Sequence, residues 1–427
     1  MQFSDIAGQA EVKKQLVELV QHNRLSHALL FLGKEGSGGL PLAIALAQYI
    51  TCEKVNGSQP AVGGQQPEAP LFGEEPHSPP DGYRDTIHHS LADSCGTCSS
   101  CIKAQQLVHP DIHFSYPTVT KKPGEKPVAT DFITEWREFI KQSAYGNAYD
   151  WIEFIKEKEN SQGKITAEEC NDIIRKLSLK SFESEYKILI MWMPEMLGAE
   201  GNKLLKLIEE PPPDTLFILV SENEAQVLPT IVSRCQLIKI PALETKDIED
   251  ALITHHNINA TTARQVASVS DGNYREAVQI VQNTEEDWQS LLREWLNAIL
   301  KTGPVAQTKW VEEISRLGRE KQKQFLRYFN HLLQQSVKLR AMADASALLG
   351  SSGLKVSAYL DTIPEKEKDF AERLNKIAGI EQQQAIIEEI DKAAYYIERN
   401  AHGKMLFHAL TIKLYHIIQD KIVFLTD

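Results

Sequence analysis

Residues 28–50 set a strand, a glycine loop and a helix in direct succession, and no other segment restricts the fold as tightly. Ala28-Leu29-Leu30-Phe31-Leu32 is an apolar run of strand length, Gly33-Lys34-Glu35-Gly36-Ser37-Gly38 follows in the frame G-x-x-x-x-G, and residues 41–50 read as a helix. That is the context in which a phosphate-binding loop works. The chemically active residues are missing from it. The lysine that should reach the β- and γ-phosphates is Gly39, and the hydroxyl that should hold Mg²⁺ is Leu40. A loop that keeps its shape and loses its charge marks a relative of nucleotidases that no longer turns nucleotide over.

The second nucleotide motif points the same way. A strand over 187–192 runs into Trp192-Met193-Pro194, where acidic residues for Mg²⁺ and water would belong; Glu195 is nearby but displaced. Each lost charge-assisted contact is worth roughly 1.5–3 kcal/mol. With lysine, hydroxyl and carboxylates all gone, tight MgATP binding and hydrolysis are both expected to have collapsed.

Around these motifs the pattern alternates. A helix over 167–177 precedes the 187–192 strand; a helix over 198–210 stops at Pro211-Pro212-Pro213, and a buried strand covers 215–220. Strands alternating with helices imply a parallel sheet covered on both faces. After Pro241 residues 244–283 form a small helical unit. Beyond it Trp288, Leu291, Leu292, Trp295, Leu296 and Ile299 keep helical spacing, as do Phe325, Tyr328, Phe329 and Leu332, and Leu406, Leu410, Leu414 and Ile417. No 20–50-residue repeat is present, so a bundle fits better than a solenoid. Two polar stretches, 56–93 and 118–129, read as insertion and loop, the first flexible. Residues 132–158 read as a helical insertion whose aromatic residues, among them Trp136, Phe139, Tyr145, Trp151 and Phe154, are expected to pack on the core domain.

Cys95-x-x-Cys98-x-x-Cys101 puts three thiolates within seven residues, and Cys52 sits just past the loop's helix. Four sulfurs would complete a closed tetrahedral site of the structural kind. The long gap between Cys52 and Cys95 adds roughly 1.2 kcal/mol of closure entropy over a ten-residue loop, against the order of 10 kcal/mol that structural zinc contributes. Zinc is the metal of choice; iron is the alternative that spacing leaves open. His77, His88 and His89 are weaker ligand candidates, and Cys170 and Cys235 read as core thiols. The net charge of −12 argues against a broad basic surface wrapped on DNA. No apolar stretch approaches the roughly 20 residues of a membrane span, and the first residues have neither part of a signal peptide, so a cytoplasmic location and no membrane partner are expected.

Several motifs carry a family likeness: Phe3-Ser4-Asp5-Ile6-Ala7-Gly8-Gln9, Leu25-Ser26-His27-Ala28, His109-Pro110-Asp111, the run from Asn202 through Leu204-Leu205-Lys206 to Glu209-Glu210-Pro211-Pro212, and Ser233-Arg234-Cys235, with 400–410 near the end. In these the chain resembles the gamma/tau/delta-prime family of bacterial DNA polymerase III clamp-loader subunits, of AAA+ class. The decayed nucleotide site is similar to that of the delta-prime branch. The resemblance implies an α/β AAA+ (P-loop NTPase-like) parallel-sheet domain over 1–243, with a zinc module at 52–101 and insertions at about 54–94 (flexible) and 118–160 (partly helical). A small helical lid domain over 244–285 and an all-α collar domain for oligomerisation over 286–427 would follow. It also implies structural zinc on Cys52, Cys95, Cys98 and Cys101, and no ATP held by the degenerate loop at Gly33, Gly38, Gly39 and Leu40. Arg234 would be an arginine finger projected into the ATP site of a neighbouring gamma/tau subunit, with delta, the sliding clamp and primed DNA as the wider partners. Arg275 matches a second-domain arginine that senses γ-phosphate in active relatives; a salt bridge at the domain junction is the alternative. A diverged gamma/tau ATPase and a zinc-dependent scaffold with no role in hydrolysis are the competing readings.

Overall fold

The structure, a computed structural model, describes residues 1–56, 92–120, 124, 126–156, 163–282, 288–349, 365–398 and 401–421. Most of the polar insertion, with His77, His88 and His89, lies outside these. The chain divides into two compact units: Met1–Ala263 with Ser270–Gln279, and Arg264–Val269 with Ile280–Asp427.

The first unit is built on five parallel strands: β1 (Ala28–Gly33), β2 (Ile112–Ser115), β3 (Lys187–Trp192), β4 (Thr215–Ser221) and β5 (Gln236–Ile240), in the order β2-β3-β4-β1-β5. β1 lies inside the sheet between β4 and the edge strand β5, with Leu30 opposite Leu219 of β4 on one side and Leu237 of β5 on the other. The strand period of two splits each apolar run between two cores. Leu29, Phe31, Ile188, Ile190, Trp192 and Ile218 enter one. Ala28, Leu30, Leu189, Met191, Phe217 and Leu219 enter the other.

The first face is covered by α1 (Ala10–Gln21), α2 (Gly39–Thr51), α5 (Ile133–Ser143) and α6 (Ala148–Ile155); between them in sequence lie α3 (Glu53–Asn56) and α4 (Ser99–Gln105). α2 is buried along almost its whole length, which is why it lacks a polar face. The aromatic insertion packs on this face through Trp136, Phe139 and Trp151, while Tyr149 and Phe154 at its rim are exposed, contrary to expectation. Trp136 and Trp151 are fully buried and meet edge-to-face at 5.2 Å, Trp136 stacks on Tyr116 at 4.0 Å, and Trp192 of β3 completes the cluster.

The second face is covered by α7 (Ala167–Ser178), a 3₁₀ stretch (Pro194–Leu204), α8 (Leu205–Glu209) and α9 (Pro229–Val232). The expected continuous helix over 198–210 is therefore replaced by a 3₁₀ run and a short α-helix. Gly198, with φ of 54° and ψ of −148°, separates this run from the turn at 194–197 before it. Cys170 is buried on this face, and burial pushes its thiol up to about 11.

α10 (Thr245–His256), α11 (Ala260–Val269) and α12 (Tyr274–Gln282) follow. The second unit holds α13 (Trp288–Asn297), a π-helical turn (Ala298–Thr302), α14 (Pro304–Arg316), the long α15 (Arg319–Leu349), α16 (Glu365–Ile377), α17 (Ile380–Glu398) and α18 (Gly403–Gln419). α15 packs on α16 and α17, and α18 on α14 and α17. Trp295 anchors this core, stacked on Trp310 at 4.5 Å with its ring N–H donating to Thr411 Oγ1 at 3.0 Å. Among the described residues no helix is long and apolar enough to cross a membrane.

Candidate functional site

The glycine loop sits between the end of β1 and the start of α2, and little space is left inside it. The space left inside it is about 30 Å³, bounded by residues 36–41 and by Ala144, Tyr145, Gly146, Trp192, Val220 and Ser221. That is room for a water or two. Tyr145, from the turn between α5 and α6, lies against Gly38, and its hydroxyl accepts the Ala7 N–H at 2.9 Å. On the other flank Gly36, at φ +73°, lies so close to Asn273 that a Cβ would fall 1.8 Å from its Oδ1. The Tyr274 N–H also donates to the Gly36 carbonyl at 3.2 Å. At Gly39, where the lysine is missing, even a Cβ would stand 3.1 Å from Val220 Cγ1.

Arg275 also holds the loop. It is 4% exposed, its Nη1 donates to Glu35 Oε1 of the loop at 2.7 Å, and its Nη2 donates to Asp150 Oδ1 at 2.6 Å while Nε bonds Oδ2. The planar fork matches a carboxylate as it would a phosphate. Asp150 is placed by its own helix start, where it and Asn147 form a reciprocal capping box. The salt bridge considered for Arg275 is thus formed, with Glu35 and Asp150. Neither partner is foreshadowed locally, since they stand 240 and 125 residues away in sequence.

Glu195 is turned to structural use: its Oε1 accepts from Ser221 Oγ at 2.6 Å and from the backbone of Glu222 and Asn223 at 2.7 and 3.0 Å. A larger hollow of about 1120 Å³ lies beside α9 and shares Gly33, Lys34 and Glu222 with the space inside the loop.

The cysteines come together as expected. The sulfurs of Cys52, Cys95, Cys98 and Cys101 all lie within 4.8 Å of one another, and Cys95 and Cys101 are 3.9 Å apart. Zn–S bonds of about 2.3 Å put tetrahedral sulfurs about 3.8 Å apart, so the set fits zinc. Backbone N–H groups point at the sulfurs as they do at thiolates: Cys95 to Cys52 at 3.4 Å, Cys98 to Cys95 at 3.3 Å and Cys101 to Cys98 at 3.4 Å. The hydrogen bond with Cys101 lowers the Cys52 thiol from its ordinary value against burial, with the Cys95 N–H assisting. Cys101, donor of that bond and itself buried, is pushed up.

The cluster is fastened to the sheet. Ser100 N–H donates to Glu53 Oε1 at 3.1 Å, and Ser100 Oγ donates to the Thr51 carbonyl at 2.6 Å. His109 Nδ1 accepts from the Asp111 N–H, so Nε2 carries the proton and reaches Ser100 Oγ at 2.9 Å. Burial lowers the His109 pKa, which keeps the ring neutral. The Asp111 carboxylate accepts three backbone N–H groups, from Phe182, Glu183 and Ser184, at 2.6–2.8 Å. His109-Pro110-Asp111 is therefore a joint between the cysteine module and the sheet.

Arg234 lies in the turn from α9 to β5, 33% exposed at its side chain. Cys235 behind it is half-buried, and burial pushes its thiol up to about 11.

A five-stranded parallel sheet in the order β2-β3-β4-β1-β5, with a glycine loop after β1, helices on both faces and a helical C-terminal unit, defines a protein of the AAA+ class. The chain matches the family described as "DNA polymerase III, delta subunit" over residues 8–66 and 85–244, just over half its length, and belongs to that family. It is 27% identical over 277 residues to DNA polymerase III subunit delta' of Bacillus subtilis (strain 168), covering 65% of this chain and 60% of that one. With subunit tau of the same organism it is 22% identical over 426 residues, covering 96% and 61%. The chain thus spans less than two thirds of these relatives' own length. Among solved structures it is similar to a DNA polymerase III gamma subunit-related protein from Thermotoga maritima, at 13% identity and a TM-score of 0.36 over 94% of this chain and 99% of that one.

Proposed function

We propose that this chain is a non-hydrolysing, delta-prime-type subunit of a DNA polymerase III clamp loader. The observation that carries the reading is the filled phosphate loop: about 30 Å³ of space, no lysine at Gly39, and Glu35 already held by Arg275. A site so arranged has neither the charge nor the room for a triphosphate. Its remaining chemistry is directed outward. Arg234 acts as an arginine finger on the γ-phosphate bound by a neighbouring gamma/tau subunit, where a planar guanidinium stabilises charge on the transferring group, worth roughly 10³–10⁵ in rate in well-studied cases.

In the working division 1–243 is the AAA+ domain, 244–285 the lid and 286–427 the collar, which joins the ring of subunits with delta. Exposed Tyr395, Tyr396, Met405 and Ile412 offer that collar apolar surface. Zinc, held by Cys52, Cys95, Cys98 and Cys101, cross-links the end of α2 to α4. Through its partners the ring opens the sliding clamp and places it on primed DNA in the cytoplasm.

A second reading, a gamma/tau-type ATPase, has in its favour the match to tau along 96% of the chain. Reconstitution separates the two. Mixed with gamma/tau and delta subunits, the chain should co-purify with them, and Arg234→Ala should lower the DNA-stimulated ATPase and clamp loading of the complex at least tenfold at the neighbouring site without dissolving it. Normal loading by the mutant complex would remove the finger; ATP hydrolysis by the chain alone would favour the second reading.

A further inference from the structure

Arg234 is not a loose arm. Its Nε donates to Glu209 Oε1 at 2.5 Å, and Nη2 lies against the same oxygen. On its other edge Nη1 donates to the Thr230 carbonyl at 2.7 Å and to Ser233 Oγ at 3.2 Å. Glu209 is the last residue of α8, and Thr230 belongs to α9, which packs on it. Those helices are anchored in turn, with Ile208 and Ile231 fully buried on the second face of the sheet. Two buried anchors thus place a carboxylate and a carbonyl on opposite edges of one guanidinium.

The arrangement has a kinetic meaning. A free arginine side chain carries about 2 kcal/mol of rotamer entropy, which a finger must lose when it engages a transition state. A guanidinium already fixed in plane and direction has lost it beforehand, and preorganised charge is the form in which electrostatic catalysis is most effective. Glu210, the next residue, is exposed at the helix end. Nothing in the Ser233-Arg234-Cys235 motif announces Glu209, which lies 25 residues earlier.

We propose that Glu209 is the positioning residue for Arg234: its carboxylate grips the Nε edge and presents the guanidinium to the neighbouring subunit in a set orientation. The proposal rests on the finger reading above. It concerns the turnover of the assembled complex and leaves nucleotide affinity alone.

The test is steady-state, DNA-stimulated ATPase of the complex reconstituted with gamma/tau and delta subunits. Glu209→Gln should lower kcat by about twofold to fivefold, the range open to a half-exposed ion pair, with KM for ATP unchanged. Glu210→Gln should change neither. In an Arg234→Ala background Glu209→Gln should have no further effect, whereas a purely structural role would add to that loss and reduce the yield of complex. An unchanged or raised kcat for Glu209→Gln, or full additivity with Arg234→Ala, overturns the proposal. Loss with Arg234→Ala alone would leave the finger standing and sink only the positioning; no loss with Arg234→Ala sinks both.

Discussion

The residue with most consequence inside the fold is Arg275. A buried guanidinium is tolerated only while carboxylates face it, because an unpaired buried charge costs far more than the pair returns. Glu35 and Asp150 are 18% and 23% exposed at their side chains, so water softens the loss but does not remove it. Arg275→Met, which keeps much of the volume and none of the charge, should destabilise the first unit by about 2–3 kcal/mol in denaturant titration. The double variant with Glu35→Gln should recover part of that. If Arg275→Met is as stable as the parent, the loop is not held in place by this pair. The residue was legible in the sequence only as a motif match. Its partners were not, because contacts between residues 125 and 240 positions apart leave no local signature.

At the scale of elements, two features lend themselves to test. Glu169 on α7 is 1% exposed, and its Oε2 accepts the Ala129 N–H at 2.7 Å. Burial raises its pKa above the usual 4.5. The folded state therefore prefers the protonated form: the stability it contributes is full below about pH 4.5 and is lost as pH rises through the folded value. Glu169→Gln should raise the melting temperature at pH 7, and the difference from the parent should vanish as pH falls below about 4.5; a constant offset at all pH values would contradict this.

The second feature is the cysteine module, which has little apolar core of its own. Metal removal by a chelator should lower the melting temperature by about 5 °C or more, one zinc per chain should be found by elemental analysis, and Cys101→Ser should abolish both the zinc and the chelator response. Cysteine spacing made this element readable, as continuous apolar runs did for β1, β3 and β4. In the segment after β3 the side-chain pattern is the same for a short 3₁₀ run and an α-helix, so the sequence does not separate residues 199–204 from α8. The small space inside the glycine loop was unreadable for another reason: Tyr145 belongs to an insertion whose aromatic residues pointed only to packing.

At the scale of the whole molecule, a glycine loop with little space inside occurs together with a guanidinium, that of Arg234, held by Glu209 and Thr230. The match over residues 8–66 and 85–244 brings the chain into its family, and the small space inside the glycine loop is what the proposed non-hydrolysing role rests on. A polypeptide that keeps the nucleotide-binding fold without its ligand should give no saturable heat when MgATP is titrated, up to millimolar nucleotide, into the purified, zinc-loaded chain in a calorimeter. Stoichiometric, magnesium-dependent binding at the glycine loop would show instead that the nucleotide site is intact.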